Sequence, residues 1–312
     1  FFHIFGMTVC MNVPLGNGAQ VVMLPRFEMK AFIDLFVRTR PNILPAVPTL
    51  LHALASNKTV KPEHFASLEV AISGGAALSE ETRADFKKIS PAIVAEGYGL
   101  TECSPVVVCG ALRVPSKPMS IGMPLPATDV KFVDLDDPAK QVAPGERGEL
   151  VTRGPQVMQG YYERPDANAA AFVDGYFRTG DVGYIDDTGY IFLVDRITDL
   201  IICSGFNVYP RAIEEALYKH EAVDEVNVIG VKDNYRGEAP VAYIKLREGK
   251  SVTSTELRNF LANDLSKIEM PKEFIFKDEL PKTLVGKLSK KELREEYAQR
   301  NASQNEEASE QA

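Results

Sequence analysis

The sequence predicts an α/β protein in two parts: a large domain made of an α/β layer and a small β-barrel subdomain, then a small mobile α+β domain. Three observations predict it. Short apolar runs alternate with helical stretches up to about Cys109, Pro and Gly punctuate short β-rich pieces over 115–194, and after Arg196 the order becomes strand, helix, strand, strand, helix. At 312 residues, 45% apolar and 25% charged, the chain is long for one core, so two domains are the default.

Residues 1–25 carry no Asp, Glu, Lys or Arg, but Asn12, Pro14 and Gly16-Asn17-Gly18 break the run short of bilayer length. The expectation is a buried helix, a turn and a strand over 19–24. The chain opens at Phe1, without a methionine and inside apolar sequence, from which a preceding segment is expected. A strand over 68–73 and a helix over 80–89 continue the alternation and predict a mainly parallel sheet. In the β-rich part, strands are expected at 129–133, 148–152 and 184–194, the last folded about Asp186-Asp187-Thr188-Gly189. Beyond Arg196, Ile213, Ala216 and Leu217 have the i, i+3, i+4 spacing of a helix face, and Thr253-x-x-Glu256 is a capping box. The tail 301–312 is polar and acidic with Ala as its one apolar residue type, too little to offset the entropy of ordering, and disorder is expected. The expected divisions are 1–195, 196–300 and 301–312.

A net charge of -8 with no basic cluster argues against a nucleic-acid surface. Cys10, Cys103, Cys109 and Cys203 form no C-x-x-C pair and have no His at metal-ligand spacing, so a reducing, cytoplasmic setting is expected rather than zinc or disulfides.

Four segments carry candidate chemistry. Gly97-Tyr98-Gly99-Leu100-Thr101-Glu102 begins like a dinucleotide fingerprint but has Glu102 where the third glycine belongs. Its glycines allow close backbone approach, Tyr98 offers a stacking face, Thr101 a hydroxyl and Glu102 a hard carboxylate suited to Mg²⁺. The same run also reads as a strand-end turn followed by a helix-start acid. Asp181, after the Thr179-Gly180 turn, could accept two hydrogen bonds from a ribose diol or simply close that turn. The charged run 195–199 and the Gly turn of 204–210 mark either a functional junction or a solvated linker. Lys287 ends a Pro and Gly loop over 281–287, where a surface lysine is the bland alternative.

Together and in this order, these segments resemble the adenylate-forming superfamily of acyl-CoA synthetases, luciferases and peptide-synthetase adenylation domains, over the whole chain except its tail. Phe2-His3-Ile4-Phe5-Gly6, Ser73-Gly74-Gly75-Ala76-Ala77-Leu78, Ser120-Ile121-Gly122-Met123-Pro124 and the run from Gly148-Glu149-Leu150 to Gly160-Tyr161-Tyr162 agree. Glu96, the Gly-Pro-Gln-Val-Met stretch and Ser-Gly-Phe-Asn-Val-Tyr-Pro look most like bacterial long-chain fatty-acid CoA ligases.

That resemblance implies a large adenylation domain and a swinging C-terminal domain. It implies that a fatty acid attacks the α-phosphate of ATP to give acyl-adenylate and pyrophosphate, and that the CoA thiol then displaces AMP. It assigns the developing phosphate charge to Lys287, Thr101 and a Mg²⁺ carried by Glu102. It carries adenine contacts onto Gly75, Ala76, Glu96, Gly97 and Tyr98, ribose contacts onto Asp181 and Arg196, and pantetheine contacts onto Ser204, Gly205 and Phe206. The hinge falls on Thr198, where the family usually has Lys or Asp. His3 matches a position lining the thiol and acyl approach, and a core histidine beside three phenylalanines is the equal alternative. The Ser, Thr and Gly-rich loop ending in Pro-Lys-Gly, whose N–H groups hold the β and γ phosphates in the family, is absent from the sequence and expected upstream of Phe2. Two alternatives stand beside the ligase: loading of a carrier protein's phosphopantetheine, and an inactive AMP-binding module. Long-chain specificity comes from likeness, and the lipid-soluble substrate it implies makes peripheral membrane contact an expectation through residues upstream, since no stretch here combines a basic face with exposed aromatics.

Overall fold

The computed structural model describes residues 1–283 and 288–310 and divides into two compact units, Phe1–Leu193 and the chain from Val194 onward. In the first unit a π-helical turn over Gly6–Asn12 runs into α1 (Val13–Gly16), followed by α2 (Met29–Thr39), β1 (Ile43–Ala46), α3 (Pro48–Ser56), β2 (Val70–Gly74), α4 (Glu80–Ile89), β3 (Ile93–Gly99), β4 (Val106–Cys109) and β5 (Met123–Pro124). These strands form one sheet in the order β1-β2-β3-β4-β5. The pairs from β1 to β3 are parallel, while β4 and β5 add antiparallel.

Local chemistry explains the helices on this sheet. Glu28 accepts the amides of Lys30 and Ala31 at the start of α2. Ser79 accepts Thr82 N–H at the start of α4, whose first turn is acidic and last turn basic, as the helix dipole favours. Their apolar faces meet in a core of Phe36, Leu51, Leu54, Phe65 and Phe86, with Phe36 edge-on to Phe65 at 4.8 Å between ring centroids.

A second sheet follows from β6 (Asp129–Val133), β7 (Gly148–Arg153), α5 (Pro165–Ala171), β8 (Phe172–Val173), β9 (Tyr176–Ile185) and β10 (Ile191–Arg196). Its order is β10-β9-β7-β6, with β8 on β9, so the barrel-like part takes the form of an antiparallel sheet whose end strands β6 and β10 do not pair among the described residues. Phe132, Leu150, Phe177 and Ile191 pack with Cys103 and with Val107 and Val108 of β4, which fixes the two sheets together.

The second unit contains β11 (Ile201–Cys203), β12 (Phe206–Val208), α6 (Pro210–Tyr218), β13 (Val223–Asp233), β14 (Gly237–Leu246), α7 (Ser254–Leu261), β15 (Glu273–Phe276) and α8 (Lys290–Glu310). The sheet order is β12-β11-β14-β13, with β15 parallel to β14. Alternation along β13 sends Val226 and Val228 toward Ile213, Leu217 and Leu257, and Ile229 and Val231 toward Leu293 and Tyr297 of α8. The capping box is realised: Thr253 Oγ1 accepts Glu256 N–H at 3.2 Å, and Glu256 accepts Thr253 N–H at 2.8 Å.

Three expectations are corrected. The helix over 6–16 has no buried residue, with Val13 and Leu15 53% and 61% exposed. Residues 19–24 form no strand: among the described residues β1 pairs with β2 alone, and the run has no ladder partner. The tail expected to be disordered from 301 continues the helix through Glu310: a stretch of Ala, Asn, Gln, Glu and Ser without Gly or Pro prolongs a helix that Leu293 and Tyr297 already anchor.

Candidate active site

The carboxyl ends of β2 and β3 lie side by side, with Ser73 opposite Glu96 and Gly74 opposite Gly97, at the kind of strand edge where open α/β sheets bind ligands. Gly75 leaves β2 at φ +85°, a left-handed turn that favours glycine. Phe5 lies so close to Gly74 that a Cβ there would sit 2.9 Å from its ring. The helix that follows His3 therefore packs on this edge, and Thr8 Oγ1 donates to Ser104 O at 3.3 Å. His3 itself accepts Phe5 N–H on Nδ1 at 3.2 Å, a local contact at the helix start.

Tyr98 connects this edge to the second sheet. Its hydroxyl donates to Asp181 Oδ2 at 2.6 Å, and Asp181 is 5% exposed. Burial, then the charge of Asp181 and the hydrogen bond to it, push the Tyr98 phenol well above its ordinary range, so it stays a donor. Asp181 N–H is held by Thr179 Oγ1 at 3.1 Å, and Thr179 Oγ1 donates to Leu150 O at 2.7 Å. The Thr-Gly-Asp turn is thus tied to β7 with its carboxylate beside Tyr98.

Glu96 is employed differently from Tyr98. Its carboxylate is 2.5 Å from Arg83 Nη2, both side chains being almost fully buried, and its other oxygen accepts Leu78 N–H at 3.4 Å. Arg83 also donates to Val94 O at 2.6 Å and to Glu80 at 3.1 Å. Glu96 accordingly braces the 75–78 segment against β3 and α4.

Thr101 and Glu102 occupy a short 3-10 turn, Thr101–Cys103, directly after β3. The loop carrying them closes tightly: Leu100 N–H donates to Pro105 O at 2.9 Å, and a Cβ on Gly99 would lie 1.8 Å from that oxygen. Tyr161 donates its hydroxyl to Glu102 Oε1 at 2.8 Å, and Met158 N–H donates to Glu102 O at 2.7 Å. Among the described residues no group of three or more His, Cys, Asp or Glu could cage a metal. One carboxylate beside one hydroxyl is a hard-oxygen donor set that fits Mg²⁺ held mainly by phosphate and water, the usual manner of that ion with nucleotides.

In the second unit, Ser204 and Gly205 form the two-residue turn between β11 and β12, with φ of +53° and +81° and Cys203 opposite Phe206. Ser204 N–H donates to Arg236 O at 2.7 Å, and Phe206 is 62% exposed. The neighbouring turn is held by Asp233, which accepts Tyr235 N–H and Arg236 N–H and pairs with Lys272 at 3.1 Å. The Arg236 amide, the Lys272 hydrogen bond and the Tyr235 amide bring the Asp233 carboxyl down to about 2. Since the folded value lies below the unfolded one, Asp233 adds stability above about pH 4 that is lost as pH falls toward 2. Asp233→Asn should flatten acid unfolding in that window, measured by circular dichroism against pH.

Thr198 is exposed in a 3-10 turn, Ile197–Asp199, and Arg196 precedes it with its N–H on Asp195 Oδ1 at 2.8 Å. Asp195 also accepts Arg211 N–H at 2.9 Å, while Asp199 pairs with Arg294 at 2.9 Å and Lys290 at 3.4 Å. Burial opposes ionisation of Asp199, but Lys290 and Arg294 outweigh it and hold the carboxyl below its usual range. Lys287 lies outside the described residues. On either side of 284–287, Lys282 bridges Leu288 and Ser289 N–H donates to Pro281 O at 2.8 Å.

The structure therefore brings together Gly75, Gly97, Tyr98, Thr101, Glu102 and Asp181 in the first unit. Three residues around the site carry no assignment from the sequence motifs: Arg83, Tyr161 and Asn168, whose Oδ1 accepts Tyr161 N–H at 2.6 Å and whose Nδ2 donates to Tyr161 O at 2.9 Å. The signal for Arg83 was available, a basic residue on the inner face of an otherwise amphipathic helix.

The model of the family described as AMP-binding enzyme matches residues 1–162, and that of the AMP-binding enzyme C-terminal domain matches 212–287. A long-chain-fatty-acid–CoA ligase of Bacillus subtilis (strain 168) is 39% identical over 95% of this chain and 53% of its own length. 4-coumarate–CoA ligase 2 of Oryza sativa subsp. japonica is 34% identical over 95% and 53%. The crystal structure of ATP-bound MatB from Rhodopseudomonas palustris superposes with a TM-score of 0.90 at 32% identity, over 95% of this chain and 58% of that one. The chain thus spans about half the length of the curated relatives it matches.

Proposed function

Because this chain belongs to the AMP-binding enzyme family, we propose that it serves a long-chain fatty-acid CoA ligase, in which a fatty acid is activated with ATP and passed to CoA. The observation that supports this most is the set of side chains gathered on one strand edge: Tyr98 bound to Asp181, beside the Gly74-Gly75 turn and the Thr101-Glu102 turn. In the proposed reaction a carboxylate oxygen attacks the α-phosphorus, the bond to pyrophosphate breaks, and the thiolate of CoA then attacks the acyl carbon and expels AMP. Tyr98 presents its ring to adenine, and Asp181 accepts from the ribose diol. Gly75 and Ala76 permit close approach of backbone to the base. Thr101 would hold a phosphate oxygen and Glu102 would hold Mg²⁺, which when bound would supply positive charge to the phosphates. Ser204, Gly205 and Phe206 are proposed to meet pantetheine, and Arg196 the ribose, with Thr198 as pivot. The long-chain acid is favoured by 39% identity to a long-chain-fatty-acid–CoA ligase over 95% of the chain. Among the described residues no helix is long and apolar enough to cross a membrane.

The test is turnover of oleate, 4-coumarate and octanoate by the full-length protein with ATP and CoA, following AMP and thioester. Oleoyl-CoA formed in preference to the others supports the reading. Preference for 4-coumarate overturns the long-chain assignment, AMP without thioester points to a carrier-protein acceptor, and no AMP from any acid rejects the ligase.

A further inference from the structure

Glu102 is a flexible side chain on a short turn, and a single carboxylate holds a cation well only when its orientation is fixed. Two hydrogen bonds hold Glu102, and the donor of one of them is itself braced. Tyr161 donates its hydroxyl to Oε1 at 2.8 Å, across 59 residues of sequence. Met158 N–H fixes the backbone of the same residue through Glu102 O at 2.7 Å. Tyr161 is in turn clasped by Asn168 of α5, which accepts Tyr161 N–H on Oδ1 at 2.6 Å and donates from Nδ2 to Tyr161 O at 2.9 Å. The clasp needs the glycine before it: Gly160 has φ +151°, and a Cβ there would lie 3.0 Å from both terminal atoms of Asn168. The adjacent Tyr162, by contrast, is 87% exposed.

We propose that Tyr161, held by Asn168, is a positioning residue that occupies Glu102 Oε1 and aims the remaining carboxylate oxygen at the nucleotide-bound divalent cation. The inference rests on the reading of Glu102 as the metal-holding side chain and deepens it, because nothing in the sequence motifs assigned Tyr161 or Asn168 a part. The phenol suits this task. It donates one hydrogen bond and brings no charge of its own. Removing the hydroxyl leaves Glu102 free to rotate away, weakening the cation more than the nucleotide.

The experiment is Mn²⁺ titration of the full-length protein with α,β-methylene-ATP, free Mn²⁺ being read by electron paramagnetic resonance, on wild type and on Tyr161→Phe, Asn168→Ala, Glu102→Gln and Tyr162→Phe. Tyr161→Phe and Asn168→Ala should weaken Mn²⁺ about 10-fold, Glu102→Gln at least as much, and Tyr162→Phe should match wild type. In turnover, Tyr161→Phe should need correspondingly more Mg²⁺ and then regain a kcat within about twofold of wild type. A merely structural role would not be rescued by the metal. Wild-type Mn²⁺ affinity in Tyr161→Phe, with Glu102→Gln impaired, overturns the positioning role and leaves the metal reading standing. Wild-type affinity in Glu102→Gln overturns both.

Discussion

Arg83→Ala is expected to destabilise the first unit by about 3–5 kcal/mol, the cost of leaving a buried carboxylate without its partner. The side chains of Arg83 and Glu96 are 7% and 6% exposed, and the guanidinium also satisfies Val94 O inside the same core. Truncation therefore leaves an uncompensated charge and an unsatisfied carbonyl, and neither can reach water without opening the α4–β3 contact. A chain of two units need not unfold in one step, so the measurement is hydrogen exchange of the β3 amides rather than a single melting curve. Arg83→Met combined with Glu96→Gln should recover most of the loss, because the pair is then replaced without stranding a charge. Slowed exchange in Arg83→Ala, or a loss below about 1 kcal/mol, contradicts the account. The functional consequence follows from Leu78: with Glu96 released, the 75–78 segment loses its brace, and nucleotide affinity should fall along with stability.

What could be read in advance divides along the range of the interactions. The helix Glu80–Ile89 and the strand Asp129–Val133 match their expected bounds, because cap, charge pattern and alternation are all written within a dozen residues. The Thr253 and Glu256 box is local for the same reason. Residues 19–24 have strand composition and no strand, since composition cannot supply a partner. The same limit governs the site. The motifs identify Tyr98, Asp181 and Glu102, but the bond from Tyr98 to Asp181 spans 83 residues, and that from Tyr161 to Glu102 spans 59. Pairing across such distances is decided by the packing of the second sheet against β4, which no spacing rule contains. Glu96 illustrates the consequence. The resemblance puts it beside adenine, and its carboxylate additionally pairs with Arg83 and Leu78 N–H, a bracing contact that no motif states.

Lys287→Ala is expected to separate the two half-reactions of the proposed ligase, lowering adenylation about 10²–10³-fold, the usual loss when one preorganised donor is removed from a developing oxyanion. The charge that Lys287 would meet grows on the α-phosphate oxygens of the first transition state as pyrophosphate departs; in the second step charge builds first on the acyl oxygen and then on the departing AMP, where the proposed reaction gives Lys287 no part. Truncating it should leave thioester formation from preformed oleoyl-adenylate and CoA within a few fold of wild type. The neighbouring lysines serve as controls. Lys282 pairs with Glu225 at 2.6 Å, and Lys290 is held between Asp199 and Glu214. Both are committed to ion pairs within the second unit, and loss of either pairing should act through stability on the two steps alike. Full-length Lys287→Ala is assayed by pyrophosphate release with oleate and ATP, and separately by oleoyl-CoA formation from synthetic adenylate. Equal loss in both assays would assign Lys287 a structural part rather than the proposed one. Loss confined to pyrophosphate release would place positive charge from residue 287 on the first transition state and not the second, the asymmetry that the proposed pivot at Thr198 would provide.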